Sequence, residues 1–233
     1  MRLLFILALL IGLILGGAVY GIRTGAIPIR PDWNPWAVLE IEAQPNFLTR
    51  YKLDRLSKDS ALCQQVLATA NFKYEQVPDR MTGRACGFFN AVRISKTSSR
   101  VSAPFSLSCR AAVSLAMWER HVLAPTAERY FGQQVATIEH FGSYSCRNVY
   151  GRANATRSQH ATAEAWDIAG FVLEDGQRIR VLKDWPESNE KAEFLQEVRT
   201  GACRYFDSVL SPDYNDAHRD HFHFDRGPYR ACR

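Results

Sequence analysis

Two short stretches hold four of the chain's six histidines, and each has a carboxylate close by. The first, Ser158-Gln-His160-Ala-Thr-Ala-Glu-Ala-Trp-Asp167, sets a histidine seven positions ahead of an aspartate. The second, His218-Arg-Asp220-His221-Phe-His223, brings three histidines and an aspartate into six residues. Imidazole nitrogen and carboxylate oxygen are good ligands for Zn²⁺, and a catalytic zinc takes three protein ligands with a fourth position left for water. Two histidines and one aspartate drawn from these stretches complete that set. The same donors suit non-haem iron, although an exported, disulfide-bonded chain is a poor host for Fe(II). A Ser-His-Asp arrangement through Ser158 is a third chemistry, but no Gly-x-Ser-x-Gly elbow marks a serine nucleophile. The plainest alternative treats His160 and Asp167 as unrelated and the later histidines as an exposed polar turn.

The elements that must position these residues can be read from their neighbours. Asp175-Gly176 joins two apolar or alternating runs, 166–173 and 178–185, which predicts a hairpin with Asp167 at the start of its first strand. His221-Phe-His-Phe224 alternates polar and aromatic residues, so in a strand both histidines look one way and both phenylalanines the other. Helices are expected over 60–70 and over 108–123, the latter stopping at Pro125. Asp184 and Glu187 offer a capping box for a further amphipathic helix carrying Leu195, Val198, Ala202, Tyr205 and Val209. Strands are expected over 87–94 and 135–144. The fold class is α+β, an antiparallel sheet with packed helices. The loop before His160 carries Arg147, Arg152 and Arg157, one of which would face the site and grip a substrate carboxylate in a bidentate fork.

The first residues act as an address. Leu3 to Ile22 is apolar over 20 residues, enough for a helix to span the hydrocarbon core. Arg2 and Gly16-Gly-Ala18 also fit a cleavable signal. Residues 1–23 are therefore a signal anchor or signal peptide, and the rest belongs on the periplasmic side of the inner membrane. Pro28, Pro31 and Pro35 suggest an extended linker over 24–46, with the folded domain spanning 47–233. Six cysteines without a Cys-x-x-Cys pair point to disulfides in an oxidising compartment. Pairing neighbours in order would join Cys63 to Cys86, Cys109 to Cys146 and Cys203 to Cys232. The net charge of +5 falls to about +3 once Arg2 and Arg23 are set aside, and with no basic run interleaved with aromatics this excludes nucleic acid as a partner.

Ser158-x-His160, Ala165-x-Asp167 and His221-x-His223 resemble the metal signature of the zinc peptidases that cut peptidoglycan stem peptides. These include the D-Ala-D-Ala carboxypeptidases and dipeptidases and the penicillin-insensitive murein endopeptidases. The stretch from Trp33-Asn-Pro-Trp36 through Leu62-Cys63, Cys86-Gly87-Phe88 and Ser145-Cys146-Arg147 to the C-terminus is similar to the bacterial extensin-like C-terminal domain. The resemblance implies a disulfide-stapled, zinc-peptidase-like core acting on peptidoglycan peptides, with the inner membrane as a second partner through the N-terminal segment. It also implies His160, Asp167 and His223 as the Zn²⁺ ligands, and Asp220 or His221 as the catalytic base. His218 matches a further histidine of the endopeptidases. The group usually has glycine three positions after its first histidine; Ala163 stands there, with a methyl that would narrow the space beside the metal. The alternative function is a non-catalytic envelope protein, zinc-containing or metal-free, that binds the cell wall.

Overall fold

The computed structural model describes residues 1–233. In chain order the elements are α1 (Arg2–Thr24), α2 (Phe47–Leu56), α3 (Ser60–Leu67), β1 (Lys73–Val77), β2 (Arg80–Gly83), β3 (Cys86–Phe88), β4 (Ala91–Lys96) and β5 (Arg100–Ser108). They continue with α4 (Cys109–Trp118), α5 (Ala124–Phe131), β6 (Val135–Gly142), β7 (Ala165–Leu173), β8 (Arg178–Arg180), α6 (Val181–Asp184), α7 (Glu190–Ala202), β9 (Ser208–Leu210), β10 (Phe222–Asp225) and β11 (Ala231–Cys232). The fold is α+β. One sheet runs β1-β4-β5-β6-β7-β10-β9-β11, with β8 paired to β7. Its ladders are antiparallel except for β5 with β6 and β9 with β11.

The core forms where α4 and α7 cover one face of the central strands. Phe222 and Phe224 alternate inward from β10, and Trp118 of α4 meets Phe224 edge-on at 5.3 Å. The Trp118 indole N–H donates to the Val198 carbonyl of α7 at 2.9 Å, whereas that of the equally buried Trp166 has no partner. On β7, Ala169 is an extra residue, because His140 pairs with Ile168 and Glu139 with Gly170. This bulge lets Ile168 and Phe171 both enter the core while Asp167 keeps the opposite face.

Several local expectations change. The segment 87–94 is two strands, broken at Asn90 in a left-handed conformation (φ 44°). Pro125 does not stop the helical run. A π-turn over Glu119–Leu123 bridges α4 to α5, with Pro125 within the first two positions of α5. The helical run is continuous there, and the wider π-turn takes up the place where a proline would otherwise break the α-helical ladder. Asp184 accepts from the Arg180 N–H instead of capping α7; that cap is Asn189, which takes the N–H groups of Lys191 and Ala192. Val209 lies beyond α7, on β9.

The disulfides are Cys63–Cys109, Cys86–Cys146 and Cys203–Cys232, so two of the three in-order pairs are corrected. The proline-rich stretch is docked rather than extended. Lys52 Nζ donates to the Pro31 carbonyl, Arg55 to that of Pro35, and Leu39 and Ile41 enter the main core. By contrast α1, long and apolar enough to cross a membrane, leaves its large side chains uncovered.

Candidate functional site

The register of two strands brings the histidines and aspartate together. Asp167 of β7 pairs directly with His223 of β10, on the face opposite Phe222 and Phe224. His160 comes from a 3₁₀ turn, Gln159–Thr162, where its own N–H donates to the Ser158 hydroxyl at 3.4 Å. Ala163 closes that turn with φ 54°, and the chain passes through Glu164 into β7.

Hydrogen bonds made away from the centre decide the tautomers. His160 Nδ1 lies 3.0 Å from the Ser143 carbonyl, which can only accept, so Nδ1 carries the proton. His223 Nε2 lies 2.9 Å from the Asp225 carboxylate, and the same reasoning puts a proton there. The remaining nitrogens then turn their lone pairs on one another and on Asp167. His160 Nε2 is 3.2 Å from His223 Nδ1 and 3.1 Å from Asp167 Oδ2; His223 Nδ1 is 2.9 Å from Asp167 Oδ1. Neutral imidazoles in this arrangement repel the carboxylate, so the cluster needs a cation, either a proton or a metal ion. The edges of the triangle are close to the roughly 3.3 Å separating ligands around tetrahedral zinc, and the ligand atoms of the three residues all lie within 4.8 Å of one another. Histidine ligands whose second N–H is held by a carbonyl or carboxylate are the usual support of such a metal.

Without a metal, a proton takes that place. Burial alone would depress the His223 imidazolium, but hydrogen bonds to Asp167 and Asp225 outweigh it and raise the group to about 9. Asp167 moves the other way. Burial would raise its carboxyl, and hydrogen bonds from His160 and His223 hold it well below the usual range.

The two candidate bases occupy one unit. His221 Nδ1 lies 2.9 Å from Asp220 Oδ1, while its Nε2 lies 3.6 Å from Asp167 Oδ1 at the edge of the cluster. Asp220 therefore orients the ring, and Nε2 is the atom turned to the centre. His218 stands further out, its ring 5.2 Å from that of His221 and its Nδ1 held by Asn215. Burial and then the neighbouring imidazoles push it down to about 4, leaving it neutral at pH 7.

The cluster lies on the floor of a cleft of about 1020 Å³. One wall is the loop before His160, pinned to β3 by Cys86–Cys146. The Tyr150 hydroxyl accepts from Asn215 Nδ2 at 2.8 Å and joins this wall to the opposite one. The three arginines of the loop separate clearly. Arg157 is tied to the Arg84 carbonyl and to Asn148, and Arg152 lies over the Tyr150 ring. Arg147 and Arg157 both line the cleft, but Arg147 is exposed and its guanidinium has no protein partner. Ala163 does not line it; the residue is buried in a satellite cluster with Phe88 and Ala91, so its methyl is turned to packing rather than to the ligands. Asp225, which holds His223, was missed in the sequence although it continues the alternation His221-x-His223-x-Asp225.

These features define an α+β domain with three disulfides and a buried His/Asp cluster under an open cleft. Residues 61–233 match the extensin-like protein C-terminus, and the chain belongs to that family. The match begins after the Trp33–Trp36 stretch, which lies outside it. No curated protein and no solved structure matches the chain.

Proposed function

We propose that this protein is an exported zinc-dependent peptidase that cleaves stem or crosslink peptides of peptidoglycan. The observation that carries the reading is the pair of outward hydrogen bonds, His160 to Ser143 and His223 to Asp225, which turn two imidazole lone pairs onto Asp167. His160, Asp167 and His223 would hold the zinc, with His160 and His223 neutral when it is bound. Bound zinc supplies Lewis acidity to a carbonyl oxygen and acidity to water at neutral pH.

The protein's own groups do the remaining work. His221, aimed by Asp220, takes a proton from the attacking water at Nε2 and returns it to the leaving amine. Arg147 lies where its fork can take a carboxylate of the wall peptide. The cleft is open enough for a branched peptide, and the mild positive charge does not repel an anionic wall. The uncovered apolar surface of α1 supports reading that helix as an anchor in the inner membrane, with the domain on its periplasmic side.

The test is direct. The purified chain is loaded with Zn²⁺, its metal content is measured, and it is incubated with purified muropeptides whose new termini are read by mass spectrometry. One zinc per chain and a defined new terminus support the proposal. Bound zinc without cleavage points to a non-catalytic zinc-containing wall-binding role, and absence of bound zinc overturns the peptidase and leaves only the metal-free alternative.

A further inference from the structure

A second surface with a distinctive composition lies far along the chain from the cluster. Phe47 and Tyr51 sit one turn apart on α2 and are 74% and 48% exposed. Trp33, 52% exposed, stands edge-on to Phe47 with ring centroids 5.6 Å apart. Its position is fixed: the Asp32 carbonyl accepts from Asn46 Nδ2 at 2.9 Å, and the Pro31 carbonyl from Lys52 Nζ at 2.6 Å. The fold thus holds three aromatic rings rigidly in contact with solvent.

The chain itself indicates what covers them. α1 ends at Thr24, and Trp33 follows nine residues later. At full extension that segment reaches about 30 Å. The real reach is shorter, because the Ile27 N–H returns to the Gly21 carbonyl and its side chain packs on Gly21. Exposed Ile27 and Ile29 line this short connection, and Arg23 and Arg30 flank them. Tryptophan and tyrosine favour the headgroup level of a bilayer, where an apolar ring and a polar edge are both accommodated.

We propose that Trp33, Phe47 and Tyr51 form an interfacial patch that docks the folded domain on the surface of the bilayer its own N-terminal helix enters. This rests on reading α1 as a retained anchor. The same stripe of α2 that carries Phe47 and Tyr51 also carries residues tied to the site. Arg50 donates to the Phe206 carbonyl at 3.0 Å, and Asp54 accepts from Arg226 at 2.7 Å. Arg226 directly follows Asp225, the residue that holds His223. Docking through this stripe of α2 would set the height and tilt of the cluster above the membrane.

The experiment uses the full chain in nanodiscs of phosphatidylethanolamine and phosphatidylglycerol, with hydroxyl-radical footprinting read by mass spectrometry. Tyr229, 73% exposed and outside the patch, is the internal reference. Trp33, Phe47 and Tyr51 should oxidise severalfold more slowly than their exposure predicts from Tyr229. In Phe47→Asp, Trp33 should return to the rate its exposure predicts. Oxidation of all three at the reference rate in the parent overturns docking while leaving the anchor intact. A chain recovered from native envelopes that has lost α1 overturns the anchor and docking together, without touching the zinc-peptidase reading.

Discussion

Asp167 and Glu119 are both carboxylates withdrawn from water, and their surroundings drive them to opposite states. Asp167 faces the rings of His160, His221 and His223, and stays ionised well below its ordinary range. Glu119, 2% exposed in the π-turn after α4, faces only the Ser98 N–H, the Ser98 hydroxyl and Thr97. Burial raises it to about 7 despite those bonds, and its Oε1 has no partner. Burial is common to both, so partners decide the charge. One site is built to keep a negative charge for a cation. The other uses a carboxyl to fasten the β4–β5 turn to a helix, and works best when that carboxyl is protonated.

The strongest way to break this contrast is to neutralise each carboxyl without changing its shape. Asp167→Asn should lose bound zinc and all measurable muropeptide hydrolysis, because a three-ligand site cannot spare its only anion. Glu119→Gln should retain both. Zinc retained by Asp167→Asn at one per chain would mean that the buried anion is not there for a metal.

A second pair sharpens the picture within the site. His221→Gln should keep its zinc yet lower kcat by about 10²- to 10⁴-fold, the usual contribution of a positioned base. Asp220→Asn, which only loosens the ring, should lower it by about 10- to 100-fold. The pH profile distinguishes them: loss of the base removes the acidic limb, whereas loss of its orienting partner shifts that limb. Equal zinc loss in both variants would instead make His221 a ligand.

The residues of the cluster were legible because their types are rare here and their spacing obeys a strand's period of two. His223 and Asp167 meet through strand pairing that the hairpin and the His-x-His alternation foreshadowed. Asp225 obeyed the same period but was overlooked, since a carboxylate after an aromatic carries no mark of its own. The choice among the arginines is tertiary, because only the fold brings the Arg84 carbonyl to Arg157. The disulfides likewise depend on α3 lying against the start of α4 and on β3 reaching the loop after β6. Strands β1 and β2 escaped because their side chains are mostly exposed and leave no apolar alternation. Pro125 misled because the π-turn lets the helical run continue past it.

Glu119 also makes a prediction about pH that the cluster does not share. Its folded pKa of about 7 exceeds the ordinary 4.5, so the folded state holds the proton more tightly than the unfolded chain. Stability from this group is complete below pH 4.5 and is lost as pH rises through 7. Denaturation of Glu119→Gln should lack that component, and at pH 8 the variant should exceed the parent by roughly 3 kcal/mol. A parent and variant with parallel pH curves would show that the Glu119 pocket admits water, and the contrast with Asp167 would reduce to exposure.

The smallest expected effect concerns the backbone beside the cluster. Ala163 adopts φ 54° and ψ 33°, a left-handed conformation that costs an alanine about 1–2 kcal/mol relative to its preferred region. Glycine would relieve much of this strain, which explains why a glycine suits the position. Yet the Ala163 methyl is buried against Phe88 and Ala91, and removing one such group forfeits about 0.8 kcal/mol. Glycine also gains freedom in the unfolded chain, offsetting a further ~0.4–1 kcal/mol. The terms nearly cancel, so Ala163→Gly should unfold within about 1 kcal/mol of the parent, with unchanged zinc content and hydrolysis. Thermal denaturation and metal analysis measure both. A large gain in activity would mean that the methyl reaches the ligands, and that strain in the turn bearing His160, rather than the partners of Asp167, limits the site.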